Sequence, residues 1–228
     1  FGDNMLGNST AYRGSYMYTW QGQALPDDLI DEYLSHLKLD GALVERLDIT
    51  GRVAGSAAAI NIAENAWVKT ISIMRGANLT GDIVSHWNPA NDKLASNLQN
   101  TLYTGLNFGL APDTDGKATA AADTAFTLNY SGNILGAKSL DLRLHGGALT
   151  LSGIAETHTF TNHGDLNLTR APDPDKAAIT TGTYTQGSSA TLGTAFNASG
   201  KTSGISATNA SIDGNWRLRA SADFYRDN

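Results

Sequence analysis

The chain has 228 residues, room for one large domain or two small ones, with 17% charged residues, a formal net charge of −6 and no cysteine. It contains no run of Lys and Arg, which argues against a phosphate-binding surface, and without cysteine it has neither thiol redox chemistry nor a thiolate metal site. The excess of Gly, Ala, Thr, Ser and Asn over Glu and Lys predicts β structure with many turns, and the lack of thiols also suits a protein that crosses an oxidising periplasm before folding.

The chain begins at Phe1 with no charged n-region and apolar h-region, so it reads as a piece excised from something larger. No apolar run approaches the roughly 18 residues of a membrane helix. Residues 1–42 read as an N-terminal cap or linker with a short helix. "SYMYTW" alternates Tyr16, Tyr18 and Trp20, the pattern of an aromatic core strand or of an exposed aromatic strip. "LPDDLIDEYLSHLKL" predicts the helix, with Pro26, Asp27 and Asp28 at its start and Leu29, Ile30, Tyr33, Leu34 and Leu37 on one face. Its paired carboxylates fit capping better than acid–base work.

Residues 43–228 read as a second region. "LVERLDITGRVAG" and "ISIMRGANLTGDIVS" hold apolar residues two apart, and aligning them sets Thr50-Gly51 over Thr80-Gly81. Between them lie Ile60 and Ile62, followed by an Ala-Glu-Asn corner at 63–65. "NPANDKLASNLQNTLYTG" predicts a second helix from Leu94, Leu98 and Leu102, capped by Asn91 or Asp92, within an excursion at about 88–124 that ends in a loop at 111–124. From 125 onward the chain reads as strands and turns. Gly-x-apolar-x-apolar recurs at Gly147, Gly164 and Gly214, followed by Leu149 and Leu151, Leu166 and Leu168, and Trp216 and Leu218.

Near-identical short strands at irregular intervals of roughly 17 to 30 residues are the signature of a solenoid with variable corners. Stacked coils bring the strands into parallel register about 4.8 Å apart and set leucine on leucine in one continuous core. Glycine and asparagine suit the corners. The fold predicted is an all-β, right-handed parallel β-helix with one or two short inserted helices. About ten coils would make a rod on the order of 45 Å long. A β-sandwich is the alternative. The offset between "HGGALTLSG" and "NHGDLNLTR" then reads as one tight coil, with Leu149 and Leu166 adjacent.

Candidate chemistry is sparse. The histidines are His36, His86, His145, His158 and His163. His158 and His163 lie near Glu156 and Asp165, but no spacing fixes a third metal ligand, so turn and surface roles are expected and no metal or cofactor is predicted. "PDTDGK" at 112–117 opens like a calcium loop, but counting from Asp113 its sixth position is Ala118 and its twelfth Thr124, where Gly and Glu are required. "PDPDK" at 172–176 reads as a stiff turn. Asp141, Arg143 and Asp165 form the nearest approach to the acid and base cluster of a polysaccharide-cleaving β-helix. No catalytic triad pattern occurs, so no catalytic residues are assigned and the chain reads as non-enzymatic.

"SGNILGAKSLDLRLHGGALTLSG" resembles the passenger-domain repeats of classical autotransporters, the type V secreted proteins of Gram-negative bacteria. "ISIMRGANLTGDIVS" is similar to coils of passengers that carry a subtilisin-like protease. The resemblance covers about residues 43–84 and 125–228. It implies a right-handed β-helix on the cell surface, followed in the full polypeptide by an outer-membrane β-barrel as its partner. No Gly-Thr-Ser-Met-Ala motif is present, so no protease residues carry over. The expected role is a stem that displays an N-terminal effector and aids its secretion. The alternatives are a self-associating adhesin, contacting a host surface or a second copy, and a polysaccharide-active enzyme.

Overall fold

The computed structural model describes residues 42–64, 66–90, 94, 96–170, 176–197 and 200–220, with the backbone of 19–20 and 23–24. β1 (Thr19–Trp20) and β2 (Gln23–Ala24) form a small antiparallel pair. The main body runs through β3 (Val44–Ile49), β4 (Arg52–Ile62), β5 (Val68–Ile73), β6 (Asn78–Ser85), β7 (Thr104–Phe108), β8 (Leu110–Pro112), β9 (Ala118–Ala122), β10 (Thr127–Tyr130) and β11 (Ile134–Leu144). It continues through β12 (Ala148–Leu151), β13 (Ala155–Asn162), β14 (Asp165–Leu168), β15 (Ile179–Gln186), β16 (Thr191–Phe196), β17 (Ile205–Ile212) and β18 (Asn215–Ala220).

The fold is all-β and solenoid-like. From β10 onward the chain alternates between two parallel sheets, and each strand pairs with the strand two later. One sheet orders β10-β12-β14-β16-β18; the other runs β17-β15-β13-β11-β7-β5-β3, with β4 and β6 attached. β11 is bent. Its first residues pair with β6 and its last with β7, with a register shift between Gly136 and Asp141.

Inward positions form ladders because parallel in-register pairing sets like on like. Leu47, Ile71, Leu106, Leu142, Phe160 and Tyr184 are successive partners on one ladder. Ile49, Ile73, Phe108, Leu144, Asn162 and Gln186 form the next. Both are buried over nearly their whole length. The expected neighbours Leu149 and Leu166 are indeed paired, as are Leu151 and Leu168. The corner before them is too tight for a side chain. Gly147 has φ +67°, and a Cβ on Gly164 would lie 2.6 Å from the Gly147 carbonyl oxygen.

Several sequence expectations are corrected. The described residues contain no helix, and Leu94, Leu98 and Leu102 do not form one. Residues 96–101 are turns, Asn100 adopts φ 58°, its N–H donates to the Pro89 carbonyl, and Trp87 Nε1 donates to the Leu102 carbonyl. A single leucine stripe cannot hold a helix against asparagines that favour turns. The helix expected at 26–39, the residues Tyr16 and Tyr18, His36 and the "PDPD" turn lie outside the described residues. The loop at 111–124 is largely an antiparallel hairpin, with Leu110 opposite Ala122 and Pro112 opposite Ala118. Within the expected excursion, β7 joins the core sheet between β5 and β11. Thr80 pairs with Ala54, not Thr50, and the β4–β6 register shifts again between Ala54 and Ile60. Among the described residues the longest strand path has seven members, β7 included, rather than about ten.

Candidate functional site

The most structured polar cluster on the outer surface joins Tyr103, Asp141, His158 and Thr159. Asp141 and Thr159 are direct partners across β11 and β13. The alternation of β13 slips at its middle. Ala155 and Thr157 are buried, then Phe160 and Asn162, so His158 and Thr159 both turn outward where the strand bends. Asp141 Oδ1 accepts from the Thr159 hydroxyl at 2.8 Å and lies 2.8 Å from His158 Nδ1. Tyr103 stacks on the imidazole with centroids 4.0 Å apart and planes 6° from parallel.

The excursion brings Tyr103 to this place. Trp67 Nε1 donates to the Tyr103 carbonyl at 3.4 Å, and Trp87 Nε1 holds the Leu102 carbonyl at 2.7 Å. On β15, Gly182 lies between the partners of Thr157 and Thr159, beside the His158 backbone. A Cβ there would meet the His158 carbonyl oxygen at 2.9 Å.

The carboxylate fixes one imidazole nitrogen and leaves Nε2 directed elsewhere, the arrangement of a positioned proton donor or acceptor. His158 is 38% exposed and Asp141 24%, so the pair is open to solvent on one side. Two residues before His158, Glu156 lines a depression of about 390 Å³ together with Glu64, Ser85, His86 and Lys138. Glu156 also borders a second depression of about 280 Å³ with Lys176, Thr180 and Ser206.

The residues that the sequence singled out are only partly brought together. Asp141 and Arg143 share β11, but Asp165 lies on β14 in the other sheet, bonded to Arg217 at 2.8 and 3.0 Å. His158 and His163 have separate neighbours. A Cβ on Gly187 would sit 2.7 Å from His163 Nδ1, and His163 is exposed in the turn after β13. His145 Nε2 lies 2.9 Å from Asn107 Oδ1, and burial, then Arg143 and His163, lower its pKa. Among the described residues no three His, Asp or Glu side chains converge as metal ligands. Asp113 is used by its own turn, with Oδ1 accepting from the N–H groups of Asp115 and Lys117. Tyr103 was invisible to sequence reading. It lies outside every repeat and meets His158 only through the folded excursion.

In comparisons with known proteins, no family model, no curated protein and no solved structure matches the chain.

Proposed function

We propose that the chain is a non-catalytic β-helical stem, the passenger segment of a surface autotransporter, which holds an effector domain away from the cell. The chain would close into a right-handed coil, the common hand for parallel crossovers. The observation that supports this reading is the continuous inward ladder from Leu47 to Tyr184 across six strands. A stack in which each level touches only its neighbours sets a length rather than a pocket, and it assembles level by level. Each level that docks buries apolar area at about 25 cal/mol per Å², a drive available outside the membrane without ATP. Similarity to the passenger repeats supports the same reading.

The test is surface display. The chain is joined between an N-terminal reporter and an outer-membrane β-barrel, and reporter exposure on intact cells is compared for the natural sequence and for Leu142→Asp. Loss of display with the core variant is expected, while His158→Ala displays normally. Equal display by Leu142→Asp would sink the stem reading.

A polysaccharide-active surface is the second reading, favoured by the Asp141–His158 pair beside the Glu156 depressions. Incubation with acidic glycans would reveal cleavage that disappears in His158→Ala. No cleavage of any glycan removes it.

A further inference from the structure

β11 changes neighbours partway along its length. Ile134 and Leu135 pair with Ile83 and Val84 of β6, while Leu140–Leu144 pair with Thr104–Phe108 of β7. Residues 136–139 pair with neither strand. Glycine is required at 136, since a Cβ there would overlap the side chain of Leu140. β6 ends at Ser85, and the chain leaves it as His86-Trp87-Asn88. In parallel sheets, ligands commonly sit beyond the carboxyl ends of strands, in the crevice where neighbouring connections diverge. The depression of about 390 Å³ lies at this fork. The hydroxyl of Ser139, fully buried, donates to Ser85 Oγ at 2.8 Å and ties the two branches together.

Carboxylate and cation alternate along the stack beside it. Glu64 follows β4, Lys138 lies on β11, Glu156 on β13, and Lys176 comes before β15. Among the described residues Glu64, Lys138 and Glu156 enter no ion pair, although all three border one space. Glu156 pairs with Leu135 on one side and Thr180 on the other, which is why it also borders the depression of about 280 Å³. The two depressions meet at Glu156 and follow one line across β6, β11, β13 and β15. Three strand steps make that line about 14 Å long.

A carboxylate only accepts hydrogen bonds and an ammonium only donates them, so one kind of ligand group that serves both is a hydroxyl. Alternating signs give neither a polyanion nor a polycation a continuous attractive field. We infer that this line is a binding groove for a neutral linear glycan lying along the stack axis, its hydroxyls donating to Glu64 and Glu156 and accepting from Lys138. Val84 and Leu135, both half-buried, offer apolar surface to the C–H faces of a sugar ring. The larger depression is near the lower end of the range for small-ligand sites, about 300–1,000 Å³, which suits one sugar-sized unit per depression. Binding here needs neither an effector domain nor proton transfer by His158, so it stands apart from both functional readings.

The test is nuclear magnetic resonance titration of the isotope-labelled 228-residue chain. The probes are cellohexaose, maltohexaose and mannohexaose, with hexagalacturonate as the anionic comparison. The expected result is saturable binding of at least one neutral hexamer, with Kd at or below about 1 mM, and shifts centred on 84–88, 135–138 and 156. Glu156→Gln removes a charged acceptor and should weaken binding about tenfold or more. Ala137→Trp fills the larger depression while leaving every polar group in place, and should abolish saturation. Both positions are exposed, and the circular dichroism spectra of both variants should match the natural sequence. Failure of all three neutral hexamers to saturate overturns the inference. So does tighter binding of hexagalacturonate, or neutral binding that both variants leave intact. Hexamer length after incubation is scored separately, so loss of this groove and absence of cleavage are distinguishable.

Discussion

Leu149 lies beside Leu166 across the β12–β14 pairing, 17 residues further along the chain, and both are fully buried. Each serves as the floor or the ceiling of the other. Leu166→Ala should cost about 2–5 kcal/mol, the range for a leucine removed from a tight core. Leu149→Ala should behave alike, and the double variant should cost less than the sum, since both enlarge one cavity. Urea unfolding with a double-mutant cycle checks it, and strict additivity would mean that the two side chains do not share a space.

The corner glycines separate two kinds of strain. Gly147→Ala places a methyl against the Phe126 carbonyl oxygen at φ +67°, so both steric and backbone terms oppose it. Gly116→Ala has φ +78° but open space around it, leaving only the backbone term of roughly 1 kcal/mol. Gly51→Ala has neither a positive φ nor a neighbour within 4 Å. Melting temperatures should therefore fall most for Gly147→Ala, less for Gly116→Ala and least for Gly51→Ala. A different order would refute the assignment of the corner.

How far the sequence revealed this fold follows from what is local. The leucine pairs of 144–168 were readable because corners of similar length repeat a motif there. The Ala54–Thr80 register was not, since the matched Thr-Gly words are alike in sequence but not in place: Thr50-Gly51 sits in the bend between β3 and β4, Thr80-Gly81 inside β6. β7 escaped because "TGLNF" follows a leucine stripe that mimics a helix. Trp216 and Leu218 share the motif of the buried leucines, yet they are exposed. A motif gives the direction of a side chain and not whether another level covers it.

Two buried amides tie each level to the next. Gln186 Nε2 donates to the carbonyls of Asp213 and Asn215 at 2.6 and 3.2 Å, while its Oε1 accepts from the Tyr184 hydroxyl at 3.0 Å. One level earlier, Asn162 Nδ2 donates to the Thr191 carbonyl at 3.1 Å. Gln186→Leu keeps much of the volume but strands three polar partners, a cost of about 1–3 kcal/mol for each that stays dry. Hydrogen exchange should accelerate across β17 and β18 and remain slow in β11 and β13. Uniform acceleration would show that the amide stabilises the whole stack instead of one junction.

The buried titrating groups set the pH limits. Burial, opposed by a hydrogen bond with Asn162, pushes Tyr184 up to about 12 from its ordinary 10.0, so the folded state favours the neutral phenol. That stability is present below pH 10 and is lost as the pH rises toward 12. Tyr184→Phe removes this alkaline loss and also removes the donor to Gln186. The alkaline limb of a denaturation midpoint against pH should therefore flatten while the plateau drops. An unchanged alkaline limb would exclude Tyr184 as its source.

His145 gives the acid counterpart. Burial first, then the positive charge of Arg143 and the proximity of His163, lower its pKa below the ordinary 6.5. The unfolded chain therefore takes up a proton before the folded chain does. Stability tied to the neutral ring is complete above 6.5 and declines as the pH falls through the lower folded value. His145→Asn keeps a polar side chain beside Asn107 and cannot become charged. The midpoint of urea unfolding should then fall less between pH 7 and pH 5 than in the natural sequence, the difference appearing only below pH 6.5. A parallel fall in both proteins would show that the acid sensitivity arises elsewhere.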